Sequence, residues 1–249
     1  MFKVALNAGH HRYNPKRCLK TIDTNETREW VLNARICEKV ERLLTAYDGY
    51  ELLRIDDRTG ETDIPLKKGT GKKTRMEKAN EWGADIYIAV HHNGGINGGK
   101  GGGIVVYTYT KVSSATKALQ KAMYDTLIKY TGLKGNRATP LGTANFAECR
   151  ETKMPAVLLE CGFMDSTVDT PIILTEDYAD KCAAAITEVI VEKGGLKKKA
   201  VATDYRANVL KTCEFEPVTA KYLDAYRYSN ELYRALWQCL REGKKRTRG

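Results

Sequence analysis

The sequence predicts an α/β fold, in which helices flank a mostly parallel sheet, followed by a small basic helical region at the C-terminal end. Apolar, β-branched runs at residues 85–90 and 156–159 are typical of strands that are buried on both faces. Between such runs lie segments whose apolar residues recur at helical spacing, for example at residues 113–130. Because strands and helices alternate over about 195 residues, the pattern indicates parallel strands joined by helical crossovers.

Local patterns define the individual elements. Alternating or continuous apolar residues predict strands at residues 2–7, 50–55, 85–90, 104–110 and 156–159. Helical spacing predicts a first helix that Thr24 and Asn25 could cap and that begins between Glu26 and Glu29. The same spacing predicts further helices at residues 74–82, 113–130 and 177–191. Seven glycines in residues 94–103 predict a loop, which either admits a substrate close to the backbone or only connects two strands.

The predicted domains are a large α/β domain at residues 1–195, a linker at residues 196–200 and a small helical region at residues 201–249. Apolar and aromatic residues in the last region follow a 3,4 spacing that predicts one helix near residues 218–241. Pro217 precedes this helix and Gly243 follows it.

Composition excludes several classes of protein. The chain has 249 residues, of which 42% are hydrophobic and 29% charged, which is typical of a globular protein rather than a disordered or collagen-like one. No apolar run approaches the roughly 20 residues that span a bilayer, so we expect no membrane insertion. The first residues lack the apolar core of a signal peptide, so we expect synthesis in the cytosol without export by that route. Seven scattered cysteines without a Cys-x-x-Cys pair argue against a zinc ribbon or a disulfide framework.

Positive charge is concentrated at the C-terminal end. The net charge is +10, and residues 196–249 contribute 13 Lys and Arg against 6 Asp and Glu, a balance of +7. A basic region favours anionic partners such as nucleic acid, acidic wall polymers or lipid headgroups, and charge alone does not choose among them.

The four histidines form two adjacent pairs, each directly after a predicted strand. His10 and His11 follow the first strand, and His91 and His92 follow the buried strand at residues 85–90. The carboxyl ends of parallel strands meet at one edge of a sheet, so the fold would bring the pairs together. Two imidazoles and one carboxylate make a three-ligand zinc site with an open position for water. The alternative is that each histidine only terminates its strand.

Three carboxylates are candidates for the site. Glu26 and Glu29 both lie where the first helix begins, where the helix N-terminus keeps a carboxylate ionised, and physical reasoning does not separate them. Either could instead belong to a capping box. Glu160 ends an apolar strand, where burial would raise its pKa towards the range of a general base, unless a salt bridge holds it.

Several blocks of sequence, taken in order, resemble the zinc-dependent N-acetylmuramoyl-L-alanine amidases of the amidase-3 type, particularly clostridial phage endolysins. The resemblance covers roughly residues 1–193. The blocks are NAGHH (7–11), EWVLNARI (29–36), RMEKANEWGADIYIAVHHNG (75–94), GGIVVYTY (102–109) and PAVLLECGF (155–163).

The resemblance implies a site and a reaction. Its motifs fall on His10, Glu29 and His91, which are thereby implied to be the ligands of one Zn²⁺. Asn33, four residues after Glu29, completes the motif that begins at Glu29. A further motif places the catalytic carboxylate at Glu160. The implied reaction is hydrolysis of the amide between N-acetylmuramic acid and the L-alanine of the peptidoglycan stem peptide. The implied role is bacterial lysis as an endolysin or autolysin, at the cell wall after release from the cytoplasm.

The sequence departs from the family pattern at three positions. His11 and His92 stand where many members have small residues, and Ser166 stands where the family has Asn. These departures leave open what His11 and His92 do.

Two other functions fit parts of the sequence. A zinc peptidase acting on free peptides would need a cation for the terminal carboxylate, which Arg75 or Arg150 could supply. A basic nucleic-acid-binding protein would need a closed structural zinc site with four ligands, whereas the candidate residues leave one position open. The C-terminal region could bind anionic wall polymers, its aromatic residues could pack against one another, or a helical face could dimerise the chain.

Overall fold

A computed structural model of the 249-residue chain describes residues 1–199, 205–213, 217–225 and 229–246. The internal contacts divide the chain into two units, Met1–Lys199 and Ala200–Gly249.

The first unit is built on a six-stranded sheet that confirms the predicted fold class. The strands of this unit are β1 (Phe2–Ala8), β2 (Tyr47–Asp48), β3 (Tyr50–Arg54), β4 (Ile86–Asn93), β5 (Val105–Thr108), β6 (Leu141–Thr143), β7 (Ala156–Phe163) and β8 (Lys197–Lys198). Of these, β2 and β8 form a separate two-stranded sheet. The order in the six-stranded sheet is β3-β1-β4-β7-β5-β6, and every pairing in it is parallel except that between β5 and β7. The central strands β1, β4 and β7 end at the same edge, which is where their last residues can form a site.

Helices cover both faces of this sheet. They are α1 (Glu29–Leu44), α2 (Arg75–Trp82), α3 (Ser114–Thr131), α4 (Ala147–Arg150), α5 (Thr170–Ile173) and α6 (Glu176–Gly194). Alternate residues of β4 enter different cores: Ile88 and Val90 join the larger cluster with α1, α3 and α6. Tyr87 and Ala89 join the smaller cluster, which includes Ala79 of α2 and residues of α4 and β7. Consecutive residues at the end of β4 should therefore face different layers.

Two helix starts show how far local signals determine the elements. Thr74 and Glu77 form a capping box at the start of α2, and Gly83 ends that helix in the left-handed conformation. The expected cap of α1 at Thr24 and Asn25 is wrong. The helix begins at Glu29 without a side-chain cap, because Asp23 accepts hydrogen bonds from the backbone of Asn25 and Thr27 and holds a turn there.

The segment predicted as a linker differs from the prediction at its first residues. Leu196 packs in the larger core, and Lys197–Lys198 pair antiparallel with β2. The backbone N–H of Lys199 donates to the carbonyl of Ala46. The first unit therefore extends to Lys199, and Ala200 lies outside the described residues.

The second unit consists of α7 (Tyr205–Cys213), α8 (Pro217–Asp224) and α9 (Ser229–Arg246). The prediction of one helix at residues 218–241 is wrong, since α8 ends at Asp224 and α9 runs through Gly243. The Asp224 carboxylate accepts hydrogen bonds from Arg206 of α7 and from the hydroxyl of Tyr233 of α9. Tyr233 is buried, which supports the prediction that some aromatic residues of this region pack inside.

Two further features concern the described residues as a whole. None of their helices combines the length and apolar character needed to cross a bilayer. The seven cysteines are unpaired, and five of them are buried.

The core strand β7 provides a test of the fold. Leu159 has no exposed surface and belongs to the larger core. We expect Leu159→Ala to lower the free energy of unfolding by about 2–5 kcal/mol, because it removes buried methyl groups and leaves a cavity. Denaturant titration of the full chain measures this loss. The matched control is Leu141→Ala on the edge strand β6, where the side chain is 41% exposed, and an equal loss in both variants would contradict the assigned core.

Candidate functional site

Three side chains meet at the carboxyl edge of the sheet. His10 follows β1, His91 lies near the end of β4, and Glu29 is the first residue of α1. One ligand atom from each lies within 4.8 Å of the others, which is the spacing of groups that could hold one metal ion. The structure therefore brings together the candidate metal ligands that the sequence analysis identified in three separate segments.

Glu29 is the centre of this cluster. Its carboxylate is completely buried, with Oε1 3.0 Å from Nδ1 of His91 and Oε2 3.0 Å from Nε2 of His10. The backbone N–H of His92 donates to Oε1 at 3.2 Å. Glu26, the alternative that physical reasoning from the sequence left open, lies outside the cluster, where it pairs with Arg17 and Lys20 near the surface.

The donor set of the cluster fits a zinc ion. Nε2 of His10 and Oε2 of Glu29 are buried and lie 3.0 Å apart, but they are not aligned for a hydrogen bond, and neither atom has a hydrogen-bond partner elsewhere in the part of the chain that the structure describes. Unsatisfied buried polar atoms are costly, so these two indicate a missing partner that both can bind. Two imidazole nitrogens and one carboxylate oxygen are ligands that zinc takes in sites with an open position. Oε2 of Glu29 also forms an ion pair with Lys16, whose Nζ lies 3.3 Å away on a side chain that is 54% exposed.

His10 is held in an uncommon backbone conformation, with φ of 66°. The guanidinium of Arg75, which is almost fully buried, donates to the carbonyls of His10 at 2.7 Å and of Ala8 at 3.1 Å. The preceding residue, Gly9, lies so close to the His91 ring that a Cβ there would overlap it. These contacts fix the loop after β1 and therefore the position of the His10 side chain.

Glu148 is a site residue that the sequence analysis missed. It lies on the short helix α4 and is 3% exposed, and its Oε2 is 3.1 Å from Nε2 of His91. Its Oε1 accepts hydrogen bonds from the amide of Asn7 and, at 2.9 Å, from the hydroxyl of Tyr87. The sequence offers no periodic signal for this residue, because a four-residue helix is too short to show one.

The two carboxylates control the charge of His91. Burial opposes a charged imidazole, but hydrogen bonds to Glu148 and Glu29 outweigh it and raise the pKa of His91 to about 10. Burial likewise opposes a charge on Glu29, yet its contacts with His10 and His91 hold its pKa well below the usual range. The pKa of Glu148 is lowered to about 2, since the hydrogen bond from His91 overcomes the cost of burial. The site thus keeps its carboxylates ionised and suits a cation.

Glu160 lies beside the cluster. It is paired in register with His91 in the sheet, is 8% exposed, and its Oε2 has no hydrogen-bond partner among the described residues. Burial raises the pKa of Glu160 to about 7. A carboxyl group with such a pKa can both accept and return a proton near neutral pH.

The other two histidines lie outside the cluster. His92 is buried, and burial lowers its pKa to about 4, so the ring is neutral and its Nδ1–H donates to Oδ1 of Asn33 at 2.8 Å. The Asn33 amide in turn donates to the carbonyl of Gly9. His92 therefore connects β4 to α1 and to the loop after β1. His11 is partly exposed, 3.8 Å from Asp63.

The glycine-rich loop is tied to the segment after β7. Oδ2 of Asp165 accepts hydrogen bonds from the backbone N–H groups of Gly95, Ile96 and Asn97, all at 2.8 Å. Ser166, one of the departures from the family pattern, donates to the carbonyl of Gly101 at 2.6 Å. These bonds fasten the loop that follows the His91 strand.

The two arginines that a peptidase would need are engaged elsewhere. Arg75 is buried among backbone carbonyls, as described above. Arg150 donates to Asn145 and Glu151. The structure therefore gives no support to a free-peptide substrate held by these residues.

The fold and the cluster together define an α/β protein with a candidate metal site at the carboxyl edge of its sheet. The family profile described as N-acetylmuramoyl-L-alanine amidase matches residues 4–192. Since this match covers most of the chain, the chain belongs to the N-acetylmuramoyl-L-alanine amidase family, which confirms the resemblance of the sequence blocks.

Individual relatives support this membership. The sporulation-specific N-acetylmuramoyl-L-alanine amidase of Bacillus subtilis is 27% identical over 84% of this chain and 74% of its own length. The endolysin of Bacillus phage SPP1 is 33% identical over 51% of this chain, which spans under half (46%) of that protein. The catalytic domain of CwlV, an N-acetylmuramoyl-L-alanine amidase from Bacillus (Paenibacillus) polymyxa, superposes with a TM-score of 0.67 at 26% identity, over 79% of this chain and all of that domain.

The role of Arg75 can be tested by stability. Arg75→Met keeps much of the side-chain length but removes the guanidinium N–H groups that donate to the carbonyls of Ala8 and His10. We expect the free energy of unfolding to fall by about 2–4 kcal/mol, since each buried group left unsatisfied costs about 1–3 kcal/mol. Denaturant titration measures the change. Arg42→Met, at a side chain that is 71% exposed, should lie within about 0.5 kcal/mol of the wild type. A similar small change in Arg75→Met would contradict the assigned role.

Proposed function

We propose that the protein is a zinc-dependent N-acetylmuramoyl-L-alanine amidase that hydrolyses peptidoglycan. The observation that carries the proposal is the buried cluster of His10, Glu29 and His91, which lies beside the buried carboxyl group of Glu160. Two potential metal-binding atoms of this cluster, a histidine nitrogen and a carboxylate oxygen, have no hydrogen-bond partner among the described residues. Membership of the amidase family supports the reaction, the amide between N-acetylmuramic acid and L-alanine being the bond cleaved.

In this proposal, His10, Glu29 and His91 hold one Zn²⁺ per chain. The bound ion would supply Lewis acidity, which lowers the pKa of water and polarises the scissile carbonyl. Glu160 acts as general base: it accepts a proton from the attacking water and then passes that proton to the leaving amine of L-alanine. Its pKa of about 7 suits both steps, because the same group must take and release the proton.

The biological role follows from the relatives. An endolysin and a sporulation-specific amidase are among them, so we propose that this chain also acts on the bacterial cell wall. The second unit exposes basic side chains on its described helices, including Lys211, Lys221, Arg234 and Arg241. This charge favours binding to anionic wall polymers. Dimerisation through a helical face of this unit stays a prediction.

The metal site is tested by zinc content. We expect Glu29→Gln to reduce bound zinc strongly, because it removes the only carboxylate among the proposed ligands. Glu26→Gln should keep about one zinc per chain, since Glu26 lies outside the cluster. Elemental analysis of purified protein measures both, and His10→Ala with His11→Ala forms a second matched pair. Equal zinc in Glu29→Gln and Glu26→Gln would remove Glu29 from the site.

The role of Glu160 is tested by turnover. We expect Glu160→Gln to lose at least about 10²-fold in activity on purified peptidoglycan while retaining zinc, because the amide cannot accept the proton of the water. The assay follows the appearance of new L-alanine amino termini, which also separates this reaction from cleavage within free peptides. Glu26→Gln serves as the control for the change of charge. Turnover near the wild-type rate in Glu160→Gln would exclude Glu160 as the general base.

A further inference from the structure

The His91 ring has two different polar neighbours, one on each nitrogen. Nδ1 faces the cluster, 3.0 Å from Oε1 of Glu29, and Nε2 faces away from it, 3.1 Å from Oε2 of Glu148. A neutral imidazole that gives the lone pair of one nitrogen to a cation must carry its proton on the other nitrogen. The orientation of the ring therefore assigns Nδ1 to the ion and Nε2–H to Glu148.

A chain of buried hydrogen bonds fixes the direction of this contact. Arg75 can only donate, so the atom of Asn7 that lies 3.0 Å from its Nη1 is the amide oxygen. The amide nitrogen of Asn7 must then face Oε1 of Glu148, which it does. With the hydroxyl of Tyr87 also 2.9 Å from Oε1, that oxygen is committed to accepting, and Oε2 is left for His91.

From this network we infer that Glu148 is a positioning residue for the metal site: it holds the His91 ring in the Nε2–H tautomer, with Nδ1 presented to the ion. This inference rests on the zinc site proposed above. Carboxylates that accept a hydrogen bond from a metal-binding histidine orient the ring and make it a stronger ligand, and their loss typically lowers metal affinity 10–100-fold.

The substitution Glu148→Gln should reverse the preferred tautomer. Asn7 and Arg75 force the new amide to turn its oxygen towards Asn7, which leaves its NH₂ group against Nε2 of His91. That NH₂ group donates, so Nε2 must accept and the ring proton must move to Nδ1, where it competes with the ion. We expect the zinc dissociation constant of the full chain to rise about 10–100-fold.

A second substitution should restore the tautomer. In the Asn7→Asp, Glu148→Gln double variant, the carboxylate at position 7 accepts from both Arg75 and the NH₂ group of the new amide. The oxygen of that amide then faces Nε2–H of His91, and the Tyr87 hydroxyl can donate or accept as needed. The double variant should bind zinc more tightly than Glu148→Gln alone, although both variants carry an amide at position 148.

The experiment measures zinc affinity by competition with a chromophoric chelator, in the full-length wild type, Glu148→Gln, the double variant and Glu151→Gln. Glu151 is the residue that directly follows α4, and its carboxylate pairs with Arg150. It serves as the matched control. Nitrogen-15 NMR of the zinc-saturated proteins should show the His91 proton on Nε2 in the wild type and the double variant. Thermal unfolding of the metal-free proteins verifies that each variant folds.

The results separate this inference from the proposed function. Weaker binding in Glu148→Gln, recovery in the double variant and no change in Glu151→Gln would support it. Unchanged zinc affinity in a folded Glu148→Gln, or a folded double variant without recovery, would overturn it while leaving the zinc site intact. If Glu148→Gln does not fold, the wild-type NMR decides, and a His91 proton on Nδ1 would overturn the inference. A wild type that binds no zinc would overturn both proposals.

Discussion

A carboxylate with no access to solvent, that of Glu29, is the constraint on which the site depends. An ionised group is expensive to bury unless opposite charges and hydrogen-bond donors compensate it. Here the compensation comes from two imidazoles on different strand ends, from the backbone N–H of His92 and from the ammonium group of Lys16. The sheet must therefore bring the ends of β1 and β4 next to the first turn of α1, and the parallel topology does so.

The supporting contacts form a continuous layer around this carboxylate. Arg75 holds the backbone of His10, and through Asn7 it also reaches Glu148, which contacts the far side of the His91 ring. On the opposite face of β4, His92 and Asn33 connect the strand to α1. The ligand atoms are thus held by buried side chains on rigid elements, which is the condition for a site that binds an ion without reorganisation.

The sequence predicted the sheet and the edge where the site lies, because both follow from hydrophobic alternation along the chain. Physical reasoning from the sequence could not separate Glu26 from Glu29, which only the family resemblance did, since the turn held by Asp23 decides where α1 begins, and that turn depends on backbone contacts. His91 was assigned by the family resemblance, and the role of His92 was left open. The structure supplies the physical reason: neighbouring residues of a strand face opposite sides, so only one of the pair joins the cluster. The role of Glu148 could not be predicted from the sequence, because only tertiary contacts bring the short helix α4 to His91. The second unit shows the same limit, as its 3,4 spacing continues across the end of α8 at Asp224.

In the proposed site, one cation is held by two imidazoles and one carboxylate, with no sulfur ligand. X-ray absorption at the zinc edge of the zinc-loaded full chain identifies these ligands. We expect only nitrogen and oxygen ligands, at about 2.0–2.2 Å, with scattering from two imidazole rings. A zinc–sulfur distance of about 2.3 Å, or scattering from fewer than two imidazole rings, would contradict the proposed site.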